Sequence, residues 1–225
     1  MLEHLKKDVC EMAKQAQKQG LCQYKSGNFS ACDREKGLFV FTPSGVDRDE
    51  LTPRDMVVVD RHVRVVENLS GLKPTSELLM HLAVYEKRPD VAAVAHTHSK
   101  FATSFAVLGK IIPAIVYELQ ALGARKGYVP VAAYGRPGTP DLGRKVAEML
   151  TDSDVALMEK HGTIAAGKDI YDACLKASYL EELAHIYYNV LTIAGGKEPE
   201  ALPASEIVQW AYPHEVVFPS KGEKL

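Results

Sequence analysis

The apolar run at residues 91–98 constrains the fold most, because it ends in two histidines that stand two residues apart, His96 and His98. Successive side chains of a β-strand point to opposite faces, so a strand here would carry both imidazoles on one face of a sheet. Small residues flank the pair and leave room around it. Since neutral imidazole is the commonest metal ligand in proteins, the run predicts a strand that ends in a metal site.

Two further residues could complete such a site. Glu77 lies near the start of an expected helix with Thr75 as its N-cap, and His161 follows a second apolar run, just before Gly162. Alone, Glu77 could simply compensate the helix dipole and His161 could be an ordinary loop residue. Three imidazoles and one carboxylate together can form a tetrahedral zinc shell, or an open one when the carboxylate acts as a base. His81, one helical turn after Glu77, is expected to support the site or pack.

Hydrophobic periodicity predicts hairpins interspersed with helices. The expected helices cover residues 3–19, 74–87, 100–108, 140–150 and 170–193, with a short one near Glu206. The expected strands cover residues 27–31, 38–41, 56–60, 63–67, 91–98, 113–117 and 128–133, with a hairpin at 155–166. This order favours an α/β fold with a largely antiparallel sheet and helices covering its faces. Without a linker or repeat, residues 1–225 are predicted to form a single domain, in which 203–225 is a C-terminal tail.

Composition excludes several classes of function. A net charge of −2 gives no sign of a basic surface for nucleic acid. No run reaches the roughly 18 apolar residues that suggest a membrane span. The four cysteines form no C-x-x-C pair and no disulfide framework. We therefore expect a cytoplasmic protein that acts on a small molecule, with no nucleic-acid or membrane partner.

Three turns carry groups that suit an anion. They contain Asn28 after Gly27, Ser44 and Gly45 after Pro43, and Thr75 and Ser76 before the helix of residues 74–87. Such residues are common in ordinary turns, so each turn alone is weak evidence. Backbone N–H groups in turns and at helix starts also bind phosphate. Beside a possible metal site, the three turns favour a phosphate-binding pocket.

Together these motifs, in this order and spacing over about residues 5–195, resemble the class II aldolase/adducin family, and most closely its L-fuculose-phosphate aldolase members. The resemblance implies a three-layer αβα sandwich around a central mixed, largely antiparallel sheet. It also implies a Zn²⁺ site, with Mn²⁺ or Co²⁺ as other possible metals. A C4-symmetric homotetramer with active sites at its subunit interfaces is implied as well.

The resemblance also assigns roles to residues. Glu77 would be both a metal ligand and the proton-transfer base, and Tyr117 would help to protonate the aldehyde oxygen. Tyr212 is a candidate for a tyrosine that the tail of a neighbouring subunit contributes. The metal ligands would be His96, His98, His161 and Glu77. The phosphate would be bound by Asn28, Ser44, Gly45, Thr75 and Ser76.

The implied activity is cleavage of a ketose 1-phosphate to dihydroxyacetone phosphate and an aldehyde. The substrate would be L-fuculose 1-phosphate or a related deoxy-pentulose or deoxy-hexulose 1-phosphate. Glu118 departs from the aldolase pattern and suggests methylthioribulose 1-phosphate dehydratase as a first alternative, although the Cys-Ser-Pro run of that family is absent. L-ribulose 5-phosphate 4-epimerase is a second alternative, but it would carry aspartate in place of Glu77. A non-catalytic adducin-like module has no reason to keep four metal ligands.

Overall fold

The computed structural model describes residues 1–209. Its strands are β1 (Asn28–Asp33), β2 (Leu38–Phe41), β3 (Val57–Asp60), β4 (Val65–Glu67), β5 (Ala93–Thr97), β6 (Ile112–Pro113), β7 (Tyr128–Val129), β8 (Val131–Ala132), β9 (Val155–Met158) and β10 (Gly162–Gly167). Its α-helices are α1 (Glu3–Lys18), α2 (Leu78–Lys87), α3 (Lys100–Leu108), α4 (Pro140–Met149), α5 (Ile170–Ile193) and α6 (Ala204–Ile207). Shorter 3₁₀ helices cover Arg48–Glu50, Pro53–Asp55 and Tyr117–Leu122.

Eight strands form the central sheet, in the order β4-β3-β2-β1-β5-β10-β9-β8. Neighbouring strands run antiparallel except β8 and β9, which are parallel. The sheet is therefore mixed and largely antiparallel, as predicted. Strand β5 lies at its centre, where His96 stands opposite Asn28 of β1 on one side and Ile164 of β10 on the other.

Successive side chains of β5 point alternately into two apolar cores, one on each face of the sheet. Ala93 and Ala95 belong to the apolar core on the face covered by α1, α3 and α5. Val94 belongs to a second core, which it shares with Val84 of α2 and Val146 of α4. His96 therefore points to the α2 face, since it stands two residues after Val94. The two covered faces confirm the predicted three-layer αβα sandwich.

Helix α5 is the longest element and lies along the sheet. Asp169 caps it by accepting a hydrogen bond from the Asp172 backbone N–H at 2.8 Å. Its length alone does not make it a membrane span, and no helix within residues 1–209 combines the necessary length and apolar character. Cys174 of this helix is a buried free thiol, as are the other three cysteines.

The helix predicted from residue 74 begins later, at Leu78. Pro74 instead forms a β-bridge with Pro43, and the Thr75 N–H donates to the Thr42 carbonyl at 3.1 Å. This tertiary pairing keeps the chain extended through Thr75. The prediction of Thr75 as the N-cap is therefore wrong, and Glu77 occupies that position.

The strand predicted at 113–117 is also wrong. Strand β6 ends at Pro113, and Tyr117 begins a 3₁₀ helix that buries Leu119 and Leu122. Leu119 and Leu122 are three residues apart, and in a 3₁₀ helix residues with this spacing lie on the same side. Tyr117 and Glu118 are thus neighbours on an exposed helical turn.

Candidate metal and phosphate site

Three histidines meet at the end of the central strands. Strand β5 carries His96, His98 follows that strand, and His161 directly precedes β10. Pairing of β10 with β5 brings His161 beside the other two. The ring centroids lie 4.8 Å apart for His96–His98, 4.8 Å for His96–His161 and 5.2 Å for His98–His161. One ring nitrogen from each histidine lies within 4.8 Å of the others, which is a suitable arrangement for binding one cation.

A backbone contact fixes the His96 ring. Its Nδ1 lies 2.8 Å from the Thr163 carbonyl oxygen, which can only accept, so Nδ1 carries the proton. The other nitrogen, Nε2, faces His98 Nε2 at 3.0 Å and Glu77 Oε2 at 3.1 Å. Metal-binding histidines are commonly oriented by such a carbonyl contact.

Glu77 places its carboxylate among the histidines. Oε2 lies 3.1 Å from His96 Nε2 and accepts from Asn28 Nδ2 at 2.9 Å, while Oε1 lies 3.4 Å from His161 Nε2. Burial would raise the pKa of Glu77, but its interactions with His96, His161 and Asn28 outweigh that cost and hold the pKa well below its ordinary value. The carboxylate is therefore ionised at neutral pH.

The donor set fits a divalent cation. Burial lowers the pKa of His98 to about 3 and that of His161 to about 4, with the neighbouring His96 adding to both shifts. Both rings are thus neutral at pH 7, as metal ligation requires. Glu77 Oε1 is buried and has no hydrogen-bond partner within residues 1–209, an arrangement that a bound cation would relieve. Three imidazoles and a carboxylate suit zinc, and also manganese or cobalt.

Gly162 allows this packing because it lacks a side chain. A Cβ there would lie 2.5 Å from the Thr97 carbonyl oxygen and 3.2 Å from both His96 Cε1 and His98 Cδ2. Gly162→Ala is therefore expected to displace the histidine pair and weaken zinc binding by about tenfold or more. A competing chelating dye would measure this affinity.

The matched control for that substitution is Gly167→Ala, at the far end of β10. Its Cβ would lie 2.4 Å from the Ala173 backbone nitrogen, so it overpacks the same strand away from the histidines. Both variants should lose stability, roughly 1–3 kcal/mol. Only Gly162→Ala should lose zinc affinity, and equal zinc affinities in the two variants would contradict the role given to Gly162.

The anion-binding turns join the histidines in one cavity of about 180 Å³. Glu77, His98 and His161 line this cavity. It is also lined by all five predicted phosphate residues, which are Asn28, Ser44, Gly45, Thr75 and Ser76. A larger groove of about 580 Å³ lies between α2 and α4 and contains none of the predicted site residues. The smaller cavity is therefore the candidate site.

Backbone contacts hold the turns side by side. The Ser44 N–H donates to the Lys73 carbonyl at 2.9 Å, which places the turn at 42–45 against the one that precedes α2. Within residues 1–209 the N–H groups of Gly45 and Ser76 have no acceptor, so both remain available to an anion. Gly27 has φ +72°, and a Cβ on it would meet Cys22 Sγ at 2.3 Å, so this turn requires glycine.

Asn28 does more than line the cavity, because it begins a buried hydrogen-bond chain. Its Oδ1 lies 2.6 Å from His81 Nε2, His81 Nδ1 lies 2.7 Å from Ser30 Oγ, and Ser30 Oγ lies 2.7 Å from the Tyr85 hydroxyl. Since Asn28 gives its amide N–H to the Glu77 carboxylate, its oxygen must accept from His81. His81 then accepts from Ser30, which accepts from Tyr85. Every donor in the chain thus points toward Glu77.

Sequence reasoning gave His81 only a supporting or packing role and did not identify Ser30 or Tyr85. The sequence did hold a signal for this chain of polar residues. Asn28 and Ser30 stand two residues apart on one face of β1, and His81 and Tyr85 stand one turn apart on α2. The structure shows that these two faces meet. All four side chains are buried.

The burial of His81 makes stability depend on pH. Burial lowers the pKa of His81 to about 3, whereas an unfolded histidine titrates near 6.5. Its contribution is therefore fully present above about pH 6.5 and is lost as the pH falls toward 3, at up to about 1.4 kcal/mol per pH unit. We expect His81→Gln to make the fall in unfolding free energy between pH 6.5 and 5 shallower.

Urea unfolding at several pH values would measure that slope. His4→Gln is the control, because His4 is exposed on α1. An unchanged slope in His81→Gln would contradict the prediction.

The other predicted residues lie elsewhere in the chain. Tyr117 is 39% exposed and does not line the cavity; its hydroxyl donates to the Gln209 carbonyl at 2.9 Å. Glu118 is exposed beside it and is also absent from the cavity lining. Tyr212 falls outside the described residues.

Comparison with known proteins identifies the family. The profile of the Class II Aldolase and Adducin N-terminal domain matches residues 7–188. A 5-deoxy-D-ribulose 1-phosphate aldolase of Bacillus thuringiensis serovar kurstaki is 35% identical over 207 residues, which cover 92% of this chain and 93% of the relative. A 5-methylthioribulose-1-phosphate/5-deoxyribulose-1-phosphate aldolase of Rhodospirillum rubrum is 36% identical over 203 residues, covering 90% and 87%. The chain belongs to the class II aldolase family.

The structure also places the chain within that family. The solved structure of an L-fuculose 1-phosphate aldolase matches it with a TM-score of 0.85 and 32% sequence identity, over 91% of this chain and 92% of the other. The predicted resemblance to fuculose-phosphate aldolase is thereby confirmed.

Proposed function

We propose that this protein is a metal-dependent aldolase that cleaves a ketose 1-phosphate to dihydroxyacetone phosphate and an aldehyde. The observation that carries the proposal is a single cavity lined by Glu77, His98, His161 and the anion-binding turns, with the buried His96 converging on the other two imidazoles behind it. A cation donor set beside a phosphate site suits a reaction in which charge develops on the phosphate-bearing half of the sugar.

The proposed substrates are L-fuculose 1-phosphate and related deoxy-ketose 1-phosphates. The relatives from Bacillus thuringiensis and Rhodospirillum rubrum support 5-deoxyribulose 1-phosphate in particular. These sugars share the phosphate-bearing three-carbon half and differ in the aldehyde half. An apolar difference in that half changes preference only modestly, so activity on several of them is expected.

In this proposal a divalent cation, Zn²⁺ first and Mn²⁺ or Co²⁺ otherwise, would supply Lewis-acid stabilisation of the negative charge that cleavage leaves on the three-carbon half. His96, His98 and His161 would hold the cation, with Glu77 as a fourth ligand. Glu77 would also move the proton. Asn28 holds its Oε2, and its Oε1, which has no hydrogen-bond partner within residues 1–209, would bind the cation when it does not carry the proton.

The turns would position the substrate. Asn28, Ser44, Gly45, Thr75 and Ser76 would hold the phosphate, and so fix the carbon that gains or loses the proton near Glu77. Tyr117 would protonate the aldehyde oxygen in the cavity of a neighbouring copy, since it does not line the cavity of its own chain. This role requires an assembly, which we propose to be a cytoplasmic homotetramer with its active sites at the interfaces.

The dehydratase alternative depends on Glu118 as an acid or base. Glu118 is exposed and lies outside the cavity lining of its own chain, as Tyr117 does, so the reaction products decide between the dehydratase and the aldolase. The epimerase alternative depends on an aspartate where this chain has Glu77. Both alternatives predict products that differ from those of an aldolase.

A coupled assay for dihydroxyacetone phosphate tests the proposal. Zinc-loaded protein would be given L-fuculose 1-phosphate, ribulose 1-phosphate, 5-deoxyribulose 1-phosphate and methylthioribulose 1-phosphate, each with and without EDTA. EDTA-sensitive release of the triose phosphate is expected. Loss of water from the methylthio sugar would indicate the dehydratase, and interconversion of pentulose 5-phosphates would indicate the epimerase.

A further inference from the structure

Arg48 is a buried cation that forms no ion pair within residues 1–209. It begins the 3₁₀ helix Arg48–Glu50 and is 2% exposed. Within the described part of the chain, no carboxylate oxygen lies within the 4.0 Å of an ion pair with its guanidinium. Its Nε is buried and has no hydrogen-bond acceptor among residues 1–209. Burying an uncompensated charge costs several kcal/mol, so this position calls for an explanation.

The contacts of Arg48 connect two of the anion-binding turns. Nη1 donates to the carbonyls of Pro43 at 3.4 Å and Val46 at 3.1 Å. Nη2 donates to the carbonyl of Lys25 at 3.0 Å and to that of Gly27. One rigid guanidinium therefore ties the turn at 25–27 to the turn at 43–46. All four acceptors are neutral, so the positive charge is not balanced by these bonds.

Two cationic side chains line the cavity beside these turns. Arg48 lines it, as does Lys25, which is exposed and forms no ion pair within residues 1–209. Glu77, the carboxylate that lines the cavity, is already engaged by the histidines and Asn28. An anion bound between the turns would therefore face a cationic wall. A dianion suits this wall better than a monoanion does.

We propose that Arg48 supplies the fixed positive charge that gives this cavity its affinity for a phosphate dianion. Arg48 is a positioning residue in this role, because it acts through the turns and its field and does not need to touch the phosphate. The inference rests on the proposed function only in taking the phosphate to be that of the substrate.

Calorimetric titration of the zinc-loaded protein with inorganic phosphate tests the proposal. Arg48→Lys keeps the charge, and Arg48→Met removes it with similar chain length. We expect Arg48→Met to bind phosphate about tenfold or more weakly, and Arg48→Lys to remain within about threefold of the wild type. Equal weakening in both would show that Arg48 only braces the turns and would overturn the proposal.

Measurements on the wild type keep the proposal testable even if Arg48→Met fails to fold. Sulfate and perchlorate have similar shapes but carry two charges and one. Sulfate is expected to bind about tenfold more tightly than perchlorate, and equal binding would contradict a charge-based pocket.

Kinetics separate this inference from the proposed function. In Arg48→Met, KM for the ketose 1-phosphate should rise while kcat changes little, because the charge stabilises the bound phosphate in ground and transition states alike. If the wild type cleaves no ketose phosphate, the proposed function fails. The phosphate titrations would still decide the role of Arg48.

Discussion

Glu77→Gln is expected to lower kcat by about a thousandfold while the protein still binds zinc and phosphate. The amide has nearly the shape of the carboxylate, and its oxygen can still accept from Asn28. It cannot take up a proton at neutral pH, and it removes the negative charge beside His96 and His161. The loss should therefore fall on kcat and leave KM nearly unchanged.

Glu86→Gln is the matched control, because Glu86 lies on the same helix, is exposed and does not line the cavity. Metal analysis and phosphate titration would establish that the Glu77 variant is correctly loaded. Full turnover by a loaded Glu77→Gln protein would remove Glu77 from the mechanism. Loss of the metal would show that Glu77 is needed mainly as a ligand.

Much of this site could be predicted from local patterns. Alternation along a strand places His96 and His98 together, and a glycine after His161 marks the end of a neighbouring strand. The pairing of β10 with β5 then brings the three imidazole rings together, as expected. Their roles as ligands stay predictions. The structure adds why the rings fit, since Gly162 leaves the space that they occupy.

The predictions that were wrong depended on tertiary contacts. A helix start was expected near Thr75, but pairing between Pro74 and Pro43 keeps that segment extended. Tyr117 was placed in a strand, because a short apolar segment gives too few residues to tell a period of two from a period of three. The burial of Leu119 and Leu122 decides in favour of the 3₁₀ helix.

Arg48 shows why a single sequence did not reveal the whole site. It stands among Asp47, Asp49 and Glu50, which suggests an exposed cluster of ion pairs. In the structure Asp47 and Asp49 accept hydrogen bonds from Gln17 of α1, at 2.9 and 3.0 Å, and Arg48 turns inward. No local rule predicts that choice, because it depends on contacts between elements distant in sequence.

Removal of the metal is expected to abolish activity and to lower the stability of the fold. Without a cation, the Nε2 atoms of His96 and His98 lie 3.0 Å apart, and Glu77 Oε1 stays buried without a hydrogen-bond partner among residues 1–209. A cation that binds only the folded state stabilises it by about 4 kcal/mol when present at a thousand times its Kd. Dialysis against a chelator should therefore end turnover and lower Tm together.

Adding back Zn²⁺, Mn²⁺ or Co²⁺ should restore turnover and Tm, and the metal that restores both at the lowest concentration has the strongest claim to be native. His96→Ala should show neither the activity nor the metal-dependent shift in Tm. His62→Ala should keep both, because His62 is exposed in the turn between β3 and β4. Activity that survives complete removal of the metal would separate the histidine cluster from the chemistry. A shift in Tm without any activity would instead confine the cluster to a structural role.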